Sequence, residues 1–103
     1  MIRVSVMYPN SESATFDIEY YINSHIPMVN ELLGDAVKSG AVDAGIASGA
    51  PEESAPFIAI GHLTFESLEA FQNSFGPQAE KIMADIPNYT NTQPQIQISE
   101  IKA

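Results

Sequence analysis

The chain has 103 residues, which suits one domain spanning 1–103, and 45% of them are hydrophobic, enough to bury a core and to argue against disorder. Four Lys and Arg stand against 13 Asp and Glu, and a net charge of -9 argues against nucleic acid and anionic membrane surfaces as partners, since phosphates need clustered basic groups. With no cysteine there is no disulfide framework, thiol nucleophile or thiolate metal site.

Ile2, Val4, Val6 and Tyr8 alternate with Arg3, Ser5 and Met7, which predicts a first strand stopped by Pro9-Asn10-Ser11. The strand pattern begins at once, without the basic stretch, apolar run and cleavage site of a signal peptide. No apolar run approaches the roughly 18 residues of a membrane-spanning helix, so the expected address is cytoplasmic. Thr15 is the candidate N-cap of a first helix, with Asp17 and Glu19 near its positive end. Ile18, Tyr21, Ile22, His25, Val29, Leu32 and Leu33 then share one apolar stripe, and Gly34 suits the helix end. Pro27 falls inside this stripe, so the spacing predicts a helix kinked or briefly broken just after His25.

Residues 36–49 are poor in pattern; a bent or bulged strand is expected around 40–48, with an exposed loop over 50–56. Phe57 to Phe65 reads as a strand, with Phe57, Ala59, Gly61, Leu63 and Phe65 on one face and Ile58, Ile60, His62 and Thr64 on the other. A second helix starts near Glu66 or Ser67 and ends at Gly76-Pro77, where Pro77 opens a short helix carrying Ile82 and Met83. A polar loop from Pro87 to Pro94 holds Tyr89, and Ile96 and Ile98 alternate with Gln95, Gln97 and Ser99 in a last strand.

The order βαββαβ predicts an α+β, ferredoxin-like fold: a four-stranded antiparallel sheet with the helices on one face. The other face would carry an apolar patch, Ile58 and Ile60 or the opposite set, which face-to-face pairing in a homodimer would bury.

Tyr21 and His25 are four residues apart and share a helical face beside the Pro27 irregularity. A histidine there can act as acid or base near neutral pH, or hold a ligand oxygen, with the tyrosine orienting it. A core-edge histidine bonded to a backbone carbonyl, with Tyr21 packed beside it, explains the same residues. His62 is a candidate ligand contact, or an interface residue if its face meets a partner subunit. Tyr89 either caps a pocket mouth or anchors its loop. Two distant histidines give no metal site, no glycine-rich phosphate loop is present, and no cofactor is indicated. Ser24 beside His25 lacks a nucleophile elbow.

The segment Tyr20-Tyr21-Ile22-Asn23-Ser24-His25-Ile26-Pro27-Met28-Val29 resembles the Tyr-x-x-x-His-x-Pro helix of the EthD family, named for ethyl tert-butyl ether degradation. Ala59 to Ala70 resembles that family's third strand running into its second helix, and Ile86-Pro87-Asn88-Tyr89-Thr90-Asn91 with Pro94 to Ile98 resembles its loop and last strand. Residues 36–56, rich in alanine and glycine, depart most from the family pattern. The resemblance implies a dimeric α+β barrel, with His25 and Tyr21 as catalytic candidates and Phe65 and Tyr89 around a small-molecule cavity. It implies no one reaction: related barrels include cofactor-free monooxygenases, cyclases, dehydratases, haem-degrading proteins and stress-induced proteins. The expectation is a pocket for a small apolar or aromatic metabolite. The alternative is a non-catalytic binding or stress-related dimer, with haem among its ligands.

Overall fold

Four strands, β1 (Ile2–Pro9), β2 (Ser39–Ala44), β3 (Phe57–Phe65) and β4 (Gln95–Glu100), form one antiparallel sheet in the order β2-β3-β1-β4. This is the computed structural model of the chain, and it describes residues 1–103. The two most regular apolar alternations in the sequence, β1 and β3, take the centre of the sheet, where both edges of a strand must be paired. The arrangement is ferredoxin-like.

Register decides which side chains share a face, because directly paired residues point the same way. Val4 pairs with Leu63 and Ile98, Val6 with Gly61 and Ile96, and Tyr8 with Ala59. These line the side covered by the helices. On the uncovered side, Met7 pairs with Ile60, Ser5 with His62 and Gln97, and Arg3 with Thr64 and Ser99. That face is therefore more polar than Ile58 and Ile60 alone predict: Met7 and the two isoleucines form a strip at one end, and polar groups occupy the rest.

The first helical segment runs from α1 (Ile18–Tyr20) through a π-helical turn (Tyr21–His25) into α2 (Ile26–Leu33). Its N-cap is Asp17, whose carboxylate accepts from the Tyr20 N–H at 3.0 Å, and not Thr15. Thr15 is held by the neighbouring loop instead: its own N–H donates to the Asn91 side chain at 2.8 Å. Pro27 does not break the helix. The Ile26 N–H reaches back to the Tyr21 carbonyl, a five-residue step that widens one turn where the proline lacks a donor. Gly34 ends the segment at φ 59, a backbone angle that glycine adopts without penalty.

Strand β2 starts at Ser39 and pairs with β3 in unbroken register, so the expected bulge is absent. The chain leaves the sheet after Ala44 rather than bending within it. Ser67 caps α3 (Leu68–Phe75) by accepting from the Ala70 N–H at 3.0 Å. A 3-10 turn through Gly76-Pro77 leads to α4 (Ala79–Ala84), and another (Ile86–Asn88) leads to Tyr89.

The core divides in two. Val4, Val29, Leu33, Phe65 and Ile82 pack at one end of the sheet, and Tyr8, Tyr21, Ala59 and Tyr89 at the other. The second cluster is aromatic and carries hydroxyls, and the chemistry gathers there.

Candidate functional site

The π-helical turn presents Tyr21 and His25 to the end of β1. Their rings stack at 5.4 Å with planes 14° apart, and both are buried, His25 at 4% exposure. Gly61, below them on β3, is a packing requirement: a Cβ there would overlap the Tyr21 hydroxyl. Tyr8 and Phe16 close the cluster edge-on, at 5.6 Å and 5.1 Å from the Tyr21 ring.

Both ring nitrogens of His25 are engaged. Nδ1 lies 2.8 Å from Oδ2 of Asp85, which directly follows α4. Asp85 also accepts from the Tyr20 hydroxyl at 2.8 Å and the Asn88 amide at 2.9 Å. With Nδ1–H donated to the carboxylate, Nε2 keeps its lone pair, and it faces the Tyr89 hydroxyl at 3.4 Å. A 2.7 Å hydrogen bond then joins Tyr89 to Tyr8.

Burial pushes the His25 pKa below its ordinary 6.5, although the bond and charge of Asp85 oppose it, so the imidazole is neutral at neutral pH. Partial burial disfavours the charge of Asp85, but donors from Asn88, His25 and Tyr20 outweigh it and hold the carboxyl below the usual range. Burial pushes the Tyr8, Tyr21 and Tyr89 hydroxyls well up, so all three stay protonated. The site thus holds an ionised aspartate, a neutral histidine and three neutral phenols.

A cleft of about 570 Å³ runs between sheet and helices, and most of its wall is apolar. Tyr8, Tyr21 and His25 form one polar end, Asn30, Lys38, Ser39 and His62 add polar groups elsewhere, and the partly exposed Ile22, Met83 and Ile96 belong to its apolar wall. Tyr89 lies behind that end and reaches it through its hydroxyl. Phe65 is fully buried at 0% exposure, packs against Phe71 at 5.2 Å, and is not part of the cleft wall. His62 borders the cleft, while its imidazole is engaged by neighbouring strands, with Nε2 at 2.9 Å from Asp43 and Nδ1 at 3.4 Å from the Ser5 hydroxyl. No group of three or more His, Asp and Glu side chains is placed to hold a metal ion.

Sequence reasoning missed Asp85, Tyr8 and Tyr20. One signal was available for Asp85: it is a lone carboxylate in the apolar run Ile82-Met83-Ala84-Asp85-Ile86, which invites a search for a buried cationic or imidazole partner.

The EthD domain family model matches residues 10–93. Among solved structures, an EthD-like protein from Ralstonia eutropha JMP134 is 38% identical, with a TM-score of 0.94 over 99% of this chain and 92% of that one. An ethyl tert-butyl ether degradation family protein from Bacillus halodurans C-125 shares the fold at 17% identity and a TM-score of 0.77, covering 99% of each chain. A dimeric protein of unknown function from Bacteroides fragilis NCTC 9343 shares the ferredoxin-like fold at 9% identity and a TM-score of 0.53, over 97% of this chain and 95% of that one. No curated protein matches the chain. No helix is long and apolar enough to cross a membrane. The match over residues 10–93 and the 38% identical relative together show that this chain belongs to the EthD family.

Proposed function

We propose that the protein binds a small apolar or aromatic metabolite in the cleft between sheet and helices, with His25 acting as acid, base or hydrogen-bond partner. The observation that carries this reading is the Asp85–His25 pair, 2.8 Å apart, at one end of a cleft whose wall is mostly apolar. A carboxylate fixed on Nδ1 selects the tautomer whose Nε2 accepts a proton, and a depressed pKa keeps that nitrogen unprotonated near neutral pH. Apolar walls supply affinity for a neutral ligand and a low dielectric for the polar end.

The active form is a homodimer paired through the uncovered sheet face. Met7, Ile58 and Ile60 support this, since a partner sheet would remove them from water, and the fold neighbour from Bacteroides fragilis is dimeric.

A second reading, non-catalytic sequestration, is favoured by the engagement of both His25 nitrogens, which leaves shape and apolar surface to carry affinity. Haem ligation through His25 would require displacing Tyr89 or Asp85. Thermal-shift measurements with small aromatic and aliphatic metabolites, haemin included, test these readings on wild type and His25→Ala. Stabilisation of wild type alone supports the acid–base site. Equal stabilisation of both favours sequestration, and no stabilisation of either refutes the ligand cleft.

A further inference from the structure

The residues of the polar end form a single hydrogen-bonded file. From the cleft inwards it runs Tyr8 hydroxyl, Tyr89 hydroxyl at 2.7 Å, His25 Nε2 at 3.4 Å, then Nδ1 to Asp85 at 2.8 Å. Asp85 is in turn bound by Tyr20 and Asn88. Tyr8 and His25 both line the cleft, but Nε2 of His25 is already engaged by Tyr89 and Nδ1 by Asp85, which leaves Tyr8 as the entry to the file. The Tyr21 ring packs edge-on against that of Tyr8 at 5.6 Å, with its hydroxyl in the space left by Gly61.

We propose that Tyr8 and Tyr21 hold the hydroxyl oxygen of a neutral, phenol-like substrate, and that its proton reaches His25 through Tyr8 and Tyr89 rather than by direct contact. This rests on the cleft reading above and names the ligand class and its contact residues. The transfer balances as a shuttle: the substrate O–H protonates the Tyr8 oxygen as Tyr8 passes its own proton to Tyr89. Tyr89 passes its proton to Nε2. The products are a substrate phenolate, held by the two tyrosine hydroxyls, and an imidazolium facing the Asp85 carboxylate. Both tyrosines end as neutral as they began, which suits hydroxyls that burial makes poor acids. The net charge of -9 and a cleft of mostly apolar wall fit a substrate that arrives uncharged.

The test uses 4-nitrophenol, whose ionisation is read by absorbance, bound to the full chain between about pH 5 and about pH 8. In wild type the bound probe ionises at lower pH than in His25→Gln, by about one unit. Tyr89→Phe binds the probe with little change in affinity yet ionises it at the His25→Gln position, and Tyr89→Phe combined with His25→Gln adds nothing further. Tyr8→Phe also loses the shift and weakens binding; it breaks the same file if Tyr89→Phe fails to fold. A wild-type midpoint retained in Tyr89→Phe overturns the relay and leaves His25 in direct contact. Equal midpoints in wild type and His25→Gln overturn it as well. No binding to wild type at all refutes the cleft reading, and the relay with it.

Discussion

The Asp85 carboxylate and the His25 imidazole meet at 2.8 Å across 60 residues of chain. One stands on the helix that follows β1, the other just beyond α4, so the contact exists only once both helical segments lie on the same face of the sheet. Asp85 sets the tautomer of His25, and several measurable properties follow from that.

Asp85→Ala removes the acceptor for Nδ1 together with the groups that receive Tyr20 and Asn88. It costs about 1–3 kcal/mol of stability, the range for a hydrogen bond to a charged group whose partner is left in a buried site. Without the carboxylate the His25 pKa falls further, because burial then acts unopposed. Urea denaturation gives the first quantity and NMR titration of the imidazole protons the second. A His25 pKa that rises in the mutant would overturn this account.

Acid weakens the fold through the same pair. Below His25's ordinary pKa of 6.5 the unfolded chain takes up a proton that the folded chain resists, so stability falls as pH drops from 6.5 toward the lower folded value. Above 6.5 this contribution is complete. Asp85 acts with the same sign at lower pH: its stabilisation is present above 3.8 and lost as pH falls through its depressed folded value. Urea midpoints measured across this range decline with acid at no more than about 1.4 kcal/mol per pH unit for each proton. His25→Gln flattens the decline nearest pH 6.5.

Gly61→Ala forces a Cβ into the Tyr21 hydroxyl and destabilises by about 1–3 kcal/mol. Tyr21→Phe in the same chain restores most of that loss, since the ring carbon that bore the hydroxyl is 3.5 Å away, an ordinary contact. Thermal denaturation of the two single variants and the double variant measures the coupling, and simple additivity would rule out this overlap as the cause.

Phe65→Ala opens a cavity in the core cluster of Val4, Val29, Leu33 and Ile82 at a cost of about 3–5 kcal/mol. Ligand binding falls less than stability does, because Phe65 supports the wall residues Val4, Val29, Leu33 and Ile82 from behind without lining the cleft itself. Calorimetric titration of the less severe Phe65→Leu separates these effects.

Ile60→Glu places a charge opposite Met7 on the uncovered sheet face. The expected outcome of light scattering is a dimer mass for wild type and a monomer mass for the variant, with unchanged circular dichroism. A variant that stays dimeric would show that the copies pair elsewhere.

Strands β1 and β3 were legible because period-2 alternation follows from strand geometry alone, and both bounds of Phe57–Phe65 were read correctly. The Ser67 region as a helix start and Gly34 as a helix end were legible for the same local reason, since caps depend on a few adjacent residues. Thr15 as a cap was not: the loop carrying Asn91 took its N–H and passed the role to Asp17. The irregularity at Pro27 was visible, but its form was not, because a missing donor can be absorbed by a break, a kink or a widened turn.

By itself the sequence determined the order of strands and helices along the chain and the placing of Tyr21 and His25 on one helical face, both consequences of short-range periodicity. Tertiary structure alone decided that His25 is bound to Asp85, that Tyr8 and Tyr89 meet across 81 residues, and that the His62 imidazole is taken by Asp43. The physical reason is that a hydrogen-bonding side chain carries no periodic mark of its partner. Which donor meets which acceptor is fixed by how helices seat on the sheet, and that seating is set by the apolar core around them.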